Sequence, residues 1–210
     1  MKKALIVIII STIFFSCKSE KKDKTVVKEE VKVETIAAIN NVDLASSVLT
    51  WKGTKPTGSH DGTIALKESS LILDSGKITG GEFIIDMSSI KNLDMAGSDG
   101  ASKIEAHLKA PDFFDIASYP ISTFVITEVK ELDSKLLVTG NLTIKDVTKS
   151  ITIPASLYES DGISVFTSEL FNIDRADFNV KYRSKTWFDN LKDRFIDDLV
   201  EMSFTVKTIN

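Results

Sequence analysis

Apolar and polar residues alternate one for one along most of this chain. Leu136, Val138, Leu142 and Ile144 interleave with Lys135, Thr139, Asn141, Thr143 and Lys145. Ile151, Ile153, Ala155 and Leu157 do the same with Ser150, Thr152 and Ser156, as do Val200, Met202, Phe204 and Val206 with Glu201, Ser203, Thr205 and Lys207. Period two with one polar face marks antiparallel sheet solvated on one side. The pattern predicts strands over 48–52, 62–67, 70–74, 77–87, 121–131, 135–145, 150–158, 163–172 and 199–208. Turn signals separate them at "LDSK", "KDVTK" and "ESDG". Gly80-Gly81 predicts a bulge, as a curling sheet requires. "DGASKIEAHLK" reads as a helix ending at Pro111, and a second short helical piece is expected around "WFDNLKDRFIDD". Sequential strands with short turns predict an all-β meander that curls into an eight-stranded antiparallel barrel, with one or two short helices in its connections.

"HLKAPDFFDIASYPISTF", His107 to Phe124, breaks the pattern. Adjacent Phe113 and Phe114 match neither the helical nor the strand period. With Pro111 before them and Tyr119-Pro120 after, they predict a tight connection whose rings plug something.

The first residues form a different unit. Met1-Lys2-Lys3 is basic and Ala4 to Phe15 is apolar apart from Ser11 and Thr12. That run is too short for a bilayer, which needs roughly 20 apolar residues, and it reads as a secretory signal over 1–16. Cys17, the only cysteine, stands where a bacterial lipoprotein signal places the acylated residue. Residues 17–41, rich in Lys and Glu without aromatics, read as a flexible tether. The domain is then 42–210, exported and held in the cell envelope, facing the periplasm or anchored at the outer membrane. A membrane is its partner through Cys17. A single thiol leaves no disulfide to staple that domain.

Composition narrows the chemistry. Net charge is −4 and no basic stripe interleaves with aromatics, so nucleic acid is not an expected partner. The two histidines, His60 and His107, sit in no metal spacing, and "SSIK" lacks the companion motifs of a serine acyl-enzyme. No catalytic group, metal or cofactor is expected. His60 is read in a Gly-rich turn, "GSHDG", beside Asp61. Twelve phenylalanines favour a lined cavity over a filled interior, though an eight-stranded barrel accommodates either.

Three stretches in order, "HLKAPDFFDIASYPISTF", "GNLTIKDVTKSITIP" and "FNIDRADFNV", resemble the YceI-like family of lipid-binding proteins over 42–210. The resemblance implies an extended lipocalin-like barrel that holds a polyisoprenoid or related long amphiphile in an apolar channel. It places Phe113, Phe114 and Tyr119 on a helix-to-strand connection closing one side of that channel. An Arg-Asp pair common in the family is here Glu105-Ala106. A Gly after the Arg-x-x-Phe segment is here Asn179, a residue that also tolerates the left-handed region. Strand alternation together with these motifs predicts an apolar lining of Trp51, Phe83, Phe113, Phe114, Phe124, Leu142, Ile144, Phe166, Phe178 and Phe204, with His60 and Arg175 at a polar mouth. The expected partner is a hydrophobic small molecule or lipid. The oligomeric state is left open, a homodimer included.

Overall fold

The structure, a computed structural model, describes residues 23–32, 39–133 and 135–209. The signal segment and Cys17 lie outside the described residues, as does 33–38 of the expected tether. Among the described residues, twelve strands and one α-helix follow in chain order. They are β1 Val27–Glu29, β2 Val48–Lys55, β3 Gly58–Ile64, β4 Leu66–Asp74, β5 Lys77–Asp86, β6 Lys91–Asn92, α1 Asp99–Lys109, β7 Ile121–Leu132, β8 Lys135–Ile144, β9 Val147–Ser160, β10 Ile163–Ser168, β11 Phe171–Asp174 and β12 Leu199–Lys207.

All strand pairs are antiparallel, in the order β4-β5-β7-β8-β9-β10-β12-β2-β3-β6, with β1 added to β9 and β11 to β12. The sheet curls, and the chain ties one end to the far side: β3, flanked by the two-residue end strand β6, runs into the other end strand, β4, across the single residue Ala65. A curled, lipocalin-like antiparallel fold is therefore correct, but the expected eight strands become twelve. Apolar alternation continues through the bend at Ala65, so periodicity alone does not see where the chain changes partners there.

Bulges supply the curvature. Ile72 pairs with Gly80 but Leu73 with Ile78, so Thr79 is the extra residue, next to the glycine pair. A second register shift lies between Ile126 and Glu128. Asn179 occupies the left-handed region at φ 59°, ψ 20°, as its replacement of glycine requires.

The helix forms where its caps allow. Ser98 accepts from the Ala101 N–H at 3.1 Å, Asp99 lies in the first turn, and Pro111 bars continuation. Ile104 and Leu108, four apart, turn the same face inward. The second expected helical piece is a single 3-10 turn, Lys192–Arg194.

The tether reading needs correction over 23–32. Val27, Lys28 and Glu29 pair with Ile151, Ser150 and Lys149, and Val27 packs on the core. Lys24 bridges Asp174 at 2.7 Å and Asp177 at 2.9 Å, while Asn141 Nδ2 donates to the Val31 carbonyl. Alternate apolar residues in a charged segment suffice to add a strand when a ladder edge is open to receive it. Removing residues 1–32 is expected to lower unfolding free energy by about 1–3 kcal/mol through the lost ladder and the Val27 contact. Urea denaturation of the truncated and longer chains checks this.

Candidate functional site

The interior is not filled. A cavity of about 450 Å³ lies inside the curled sheet, within the range of pockets that hold small ligands. Five phenylalanine rings form a continuous run in its wall: Phe124–Phe83 at 6.5 Å between centres, Phe83–Phe166 at 6.1 Å, Phe166–Phe204 at 4.8 Å and Phe204–Phe171 at 6.5 Å. Their strands, β5, β7, β10, β11 and β12, bring them together because each ring occupies an inward position. Ile85, Leu142, Ile144, Ile151, Ile153 and Met202 complete much of the wall.

Two glycines make room for wall aromatics. A Cβ on Gly140 would stand 2.4 Å from Phe124 Cζ, so that ring lies directly across the glycine. A Cβ on Gly62 would meet the Lys91 carbonyl oxygen at 1.8 Å and the Trp51 indole at 2.8 Å. The carbonyl is backbone and has no rotamer to yield. Gly62→Ala is therefore expected to part β3 from β6, displace Trp51 and destabilise by about 1–3 kcal/mol or more. Thermal unfolding and the emission spectrum of Trp51 read both effects.

The connection 110–120 closes the cavity beneath α1. Phe113 and Phe114 sit edge-to-face at 5.0 Å, and both line the cavity. Phe113, His107 and Tyr182 cluster, with His107 edge-on to Tyr182 at 4.5 Å. The adjacent pair is possible because the backbone folds back: the Asp115 N–H donates to the Ala110 carbonyl at 2.9 Å and Asp115 adopts φ 49°. Lys145 Nζ reaches the Phe113 carbonyl and lies 5.8 Å from the Tyr119 ring centre. Tyr119 stays outside the wall.

Arg175 is 2% exposed, so it is neither at a solvated mouth nor a surface ion pair. It sits in a 3-10 turn, Arg175–Phe178, that starts where β11 ends, and Asp174 caps the turn. Its guanidinium donates to the carbonyls of Val180 at 2.8 Å, Ile196 at 3.0 Å and Asp197 at 3.2 Å, and pairs with Asp198 at 3.1 Å. Its carbon lies 5.5 Å from the Phe113 ring centre. Burial lowers its pKa from the usual guanidinium value, and Asp198, Asp174 and Asp197 pull it back up. The group clamps the 181–198 loop to the wall while its face borders the cavity.

His60 lies on β3, not in a turn, and its Nδ1 meets Asp94 Oδ2 at 2.9 Å rather than Asp61. The "GSHDG" run reads as a turn because of its glycines, yet all five residues pair with β2. Burial works against the Asp94 charge, but hydrogen bonds from His60, Asn92 and the Asp61 N–H outweigh it and hold the carboxyl below its ordinary range. His60 borders the cavity with Lys55, Thr57, Arg183, Asp193 and Arg194, which form its polar rim.

Of the expected lining, Trp51, Phe83, Phe113, Phe114, Phe124, Leu142, Ile144, Phe166 and Phe204 border the cavity. Phe178 does not; it is fully buried in the packed core. Past Asp174 the backbone turns helical, so the strand alternation that placed Phe178 inward no longer applies. Sequence reasoning missed Phe171, Ile153, Tyr182 and Phe195. The first two were available from period two; the last two come from a loop without period. Trp51 Nε1 and Ser122 Oγ are buried wall atoms without a protein hydrogen-bond partner. Among the described residues, no cluster of His, Cys, Asp and Glu has the arrangement of a metal site.

Comparison with known proteins agrees with this geometry. The YceI-like domain model matches residues 40–208. A UPF0312 protein of Enterobacter sp. strain 638 is 43% identical over 53 residues, which make up 25% of this chain and 28% of that relative. The match thus spans only about a quarter of the relative's length. Burkholderia cenocepacia BcnA superposes with a TM-score of 0.66 at 24% identity, over 80% of this chain and 99% of that one. A polyisoprenoid binding domain from Saccharophagus degradans, implicated in plant cell wall breakdown, gives 0.58 at 14% identity, over 83% and 100%. At these identities the likeness to the two solved structures is one of fold.

Proposed function

The chain belongs to the YceI-like family, and on that premise we propose that it carries an isoprenoid or other long-chain amphiphilic lipid, tethered to the cell envelope through an acylated Cys17. The observation that carries this reading is the cavity of about 450 Å³, walled by phenylalanine, isoleucine and leucine. Such a wall rewards apolar length: each isoprene unit brings five carbons, so full burial returns about 3–4 kcal/mol per unit at roughly 0.8 per carbon. Association and chain ordering consume about 4–15 kcal/mol, so several units must be buried before binding becomes useful. The polar end of the guest rests at the rim, where Lys55, Arg183 and Arg194 outnumber Asp193. A guest with an oxygen-bearing or anionic head fits that rim.

The reading needs no bond-making step. Export and anchoring rest on the sequence signals of residues 1–17. Titrating the purified protein with polyisoprenoid alcohols of increasing length, followed by Trp51 emission, tests the cavity's part. Affinity is expected to climb with each added unit until the cavity is full and then level off. Affinity independent of length would refute the proposal.

A further inference from the structure

The 181–198 loop does more than border the mouth. Its tip exposes two adjacent aromatics, Trp187 at 44% and Phe188 at 49%. Lys181, Arg183 and Lys185 precede them in the same loop and are also exposed. Between Lys181 and Ile196 stand five basic and two acidic residues, and with Asp197 and Asp198 the whole 181–198 loop carries +1 in a chain of net −4. Of the acidic pair that follows, Asp198 is engaged by Arg175 and by the Thr186 hydroxyl at 3.0 Å.

The tip is held rather than loose. The Phe188 N–H donates to the Ser184 carbonyl at 3.0 Å, and Ser184 is fully buried. The Ile196 N–H donates to the Arg183 carbonyl at 3.0 Å, and the Asp197 N–H to the Thr54 carbonyl at 2.8 Å, which pins the base of the loop to β2. Lys181 Nζ lies 3.9 Å from the Trp187 ring centre and Lys185 Nζ 3.2 Å from that of Phe195. Tyr182, Arg183, Arg194 and Phe195 of the same loop line the cavity.

We infer that this lip docks on an anionic bilayer surface, with Trp187 and Phe188 entering the interface and Lys181, Arg183 and Lys185 facing lipid phosphates. Trp and cationic side chains share this preference: an apolar body sits at head-group depth while the charge stays with phosphate and water. The sign of the lip, opposite to that of the chain, selects an anionic surface over a neutral one. Because the lip is continuous with the cavity rim, docking sets the mouth against the bilayer, and a lipid moves between them without crossing bulk water. Docking rests on the lip alone; the carrier reading supplies its purpose.

The two tryptophans separate the two claims. The full chain is mixed with vesicles of phosphatidylcholine, or of phosphatidylcholine with phosphatidylglycerol, carrying brominated acyl chains that quench nearby indoles. Subtracting the emission of Trp187→Phe isolates Trp187. On anionic vesicles that contribution is expected to shift blue and to be quenched. Lys181→Glu with Lys185→Glu is expected to weaken its partitioning about tenfold or more, while Trp51 emission reports that the barrel remains folded. Unchanged Trp187 emission on both vesicle types, or equal quenching with no dependence on lipid charge, overturns the inference. So does Trp187 burial that grows with protein concentration without vesicles, which would assign the lip to a second copy of the chain. Uptake is read separately by adding a polyisoprenoid alcohol to the Trp187→Phe protein: Trp51 emission that does not respond, beside a quenched Trp187 in the wild type, refutes the carrier reading and leaves docking standing.

Discussion

Arg175→Ala is expected to destabilise the protein by about 3–5 kcal/mol, the range for breaking a buried ion pair on one side. Alanine leaves the Asp198 carboxylate without its cation and the carbonyls of Val180, Ile196 and Asp197 without their donor. Each orphaned buried acceptor adds its own desolvation penalty. The damage is also local in function, because those acceptors hold the 181–198 loop against the cavity. Arg175→Lys is expected to recover only part of the loss, since a single ammonium cannot reach partners arranged for a planar fork. Equilibrium unfolding in urea checks the order of wild type, lysine and alanine. An alanine variant within about 1 kcal/mol of wild type would remove Arg175 from its structural role.

The second large effect concerns the guest. Ile153 is 3% exposed, stands in the cavity wall, and sits on β9 with strands on either side. Ile153→Trp places an indole ring in the cavity and is expected to reduce bound lipid at least about tenfold, one such step being 1.4 kcal/mol. Stability should change by no more than about 1–3 kcal/mol, the usual cost of overpacking. Phe124→Asp attacks the same cavity by polarity instead of volume: it removes a ring in contact with Phe83 and introduces a carboxylate to an apolar wall. It is expected to cost more in stability, about 3–5 kcal/mol for the lost aromatic alone. The tryptophan variant therefore remains the cleaner comparison. Lipid bound by both variants as by wild type would place the guest elsewhere.

Where the backbone is regular, the sequence discloses it well. Leu142 and Ile144 alternate with Asn141 and Thr143, and both apolar residues line the cavity. Phe83, Phe124, Phe166 and Phe204 reach the wall by the same rule, since each sits in a strand with one covered face. Phe113 and Phe114 were legible only as an exception to periodicity, together with the family motif. The misreadings fall where a local signal competes with tertiary pairing. The glycines around His60 imitate a turn, but β2 supplies a partner for that run. Phe178 follows a strand in sequence but lies past its end, in a 3-10 turn capped by Asp174. Arg175 carries a charge that sequence reasoning sends to the surface, and only four acceptors, three of them about twenty residues away, make its burial tolerable. The 23–32 segment looks solvated by composition, and its pairing with β9 depends on a ladder edge that local sequence cannot reveal.

The carrier reading is tested most directly by what the protein holds when it leaves the cell. Wild type and Ile153→Trp would be purified from a bacterial envelope under identical conditions, and the organic extract of each analysed by mass spectrometry. The prediction is a long-chain isoprenoid or fatty amphiphile at near one per chain in the wild type, and its loss from the tryptophan variant. An equal lipid content in both, or a wild type that stays empty when offered such lipids, would contradict it.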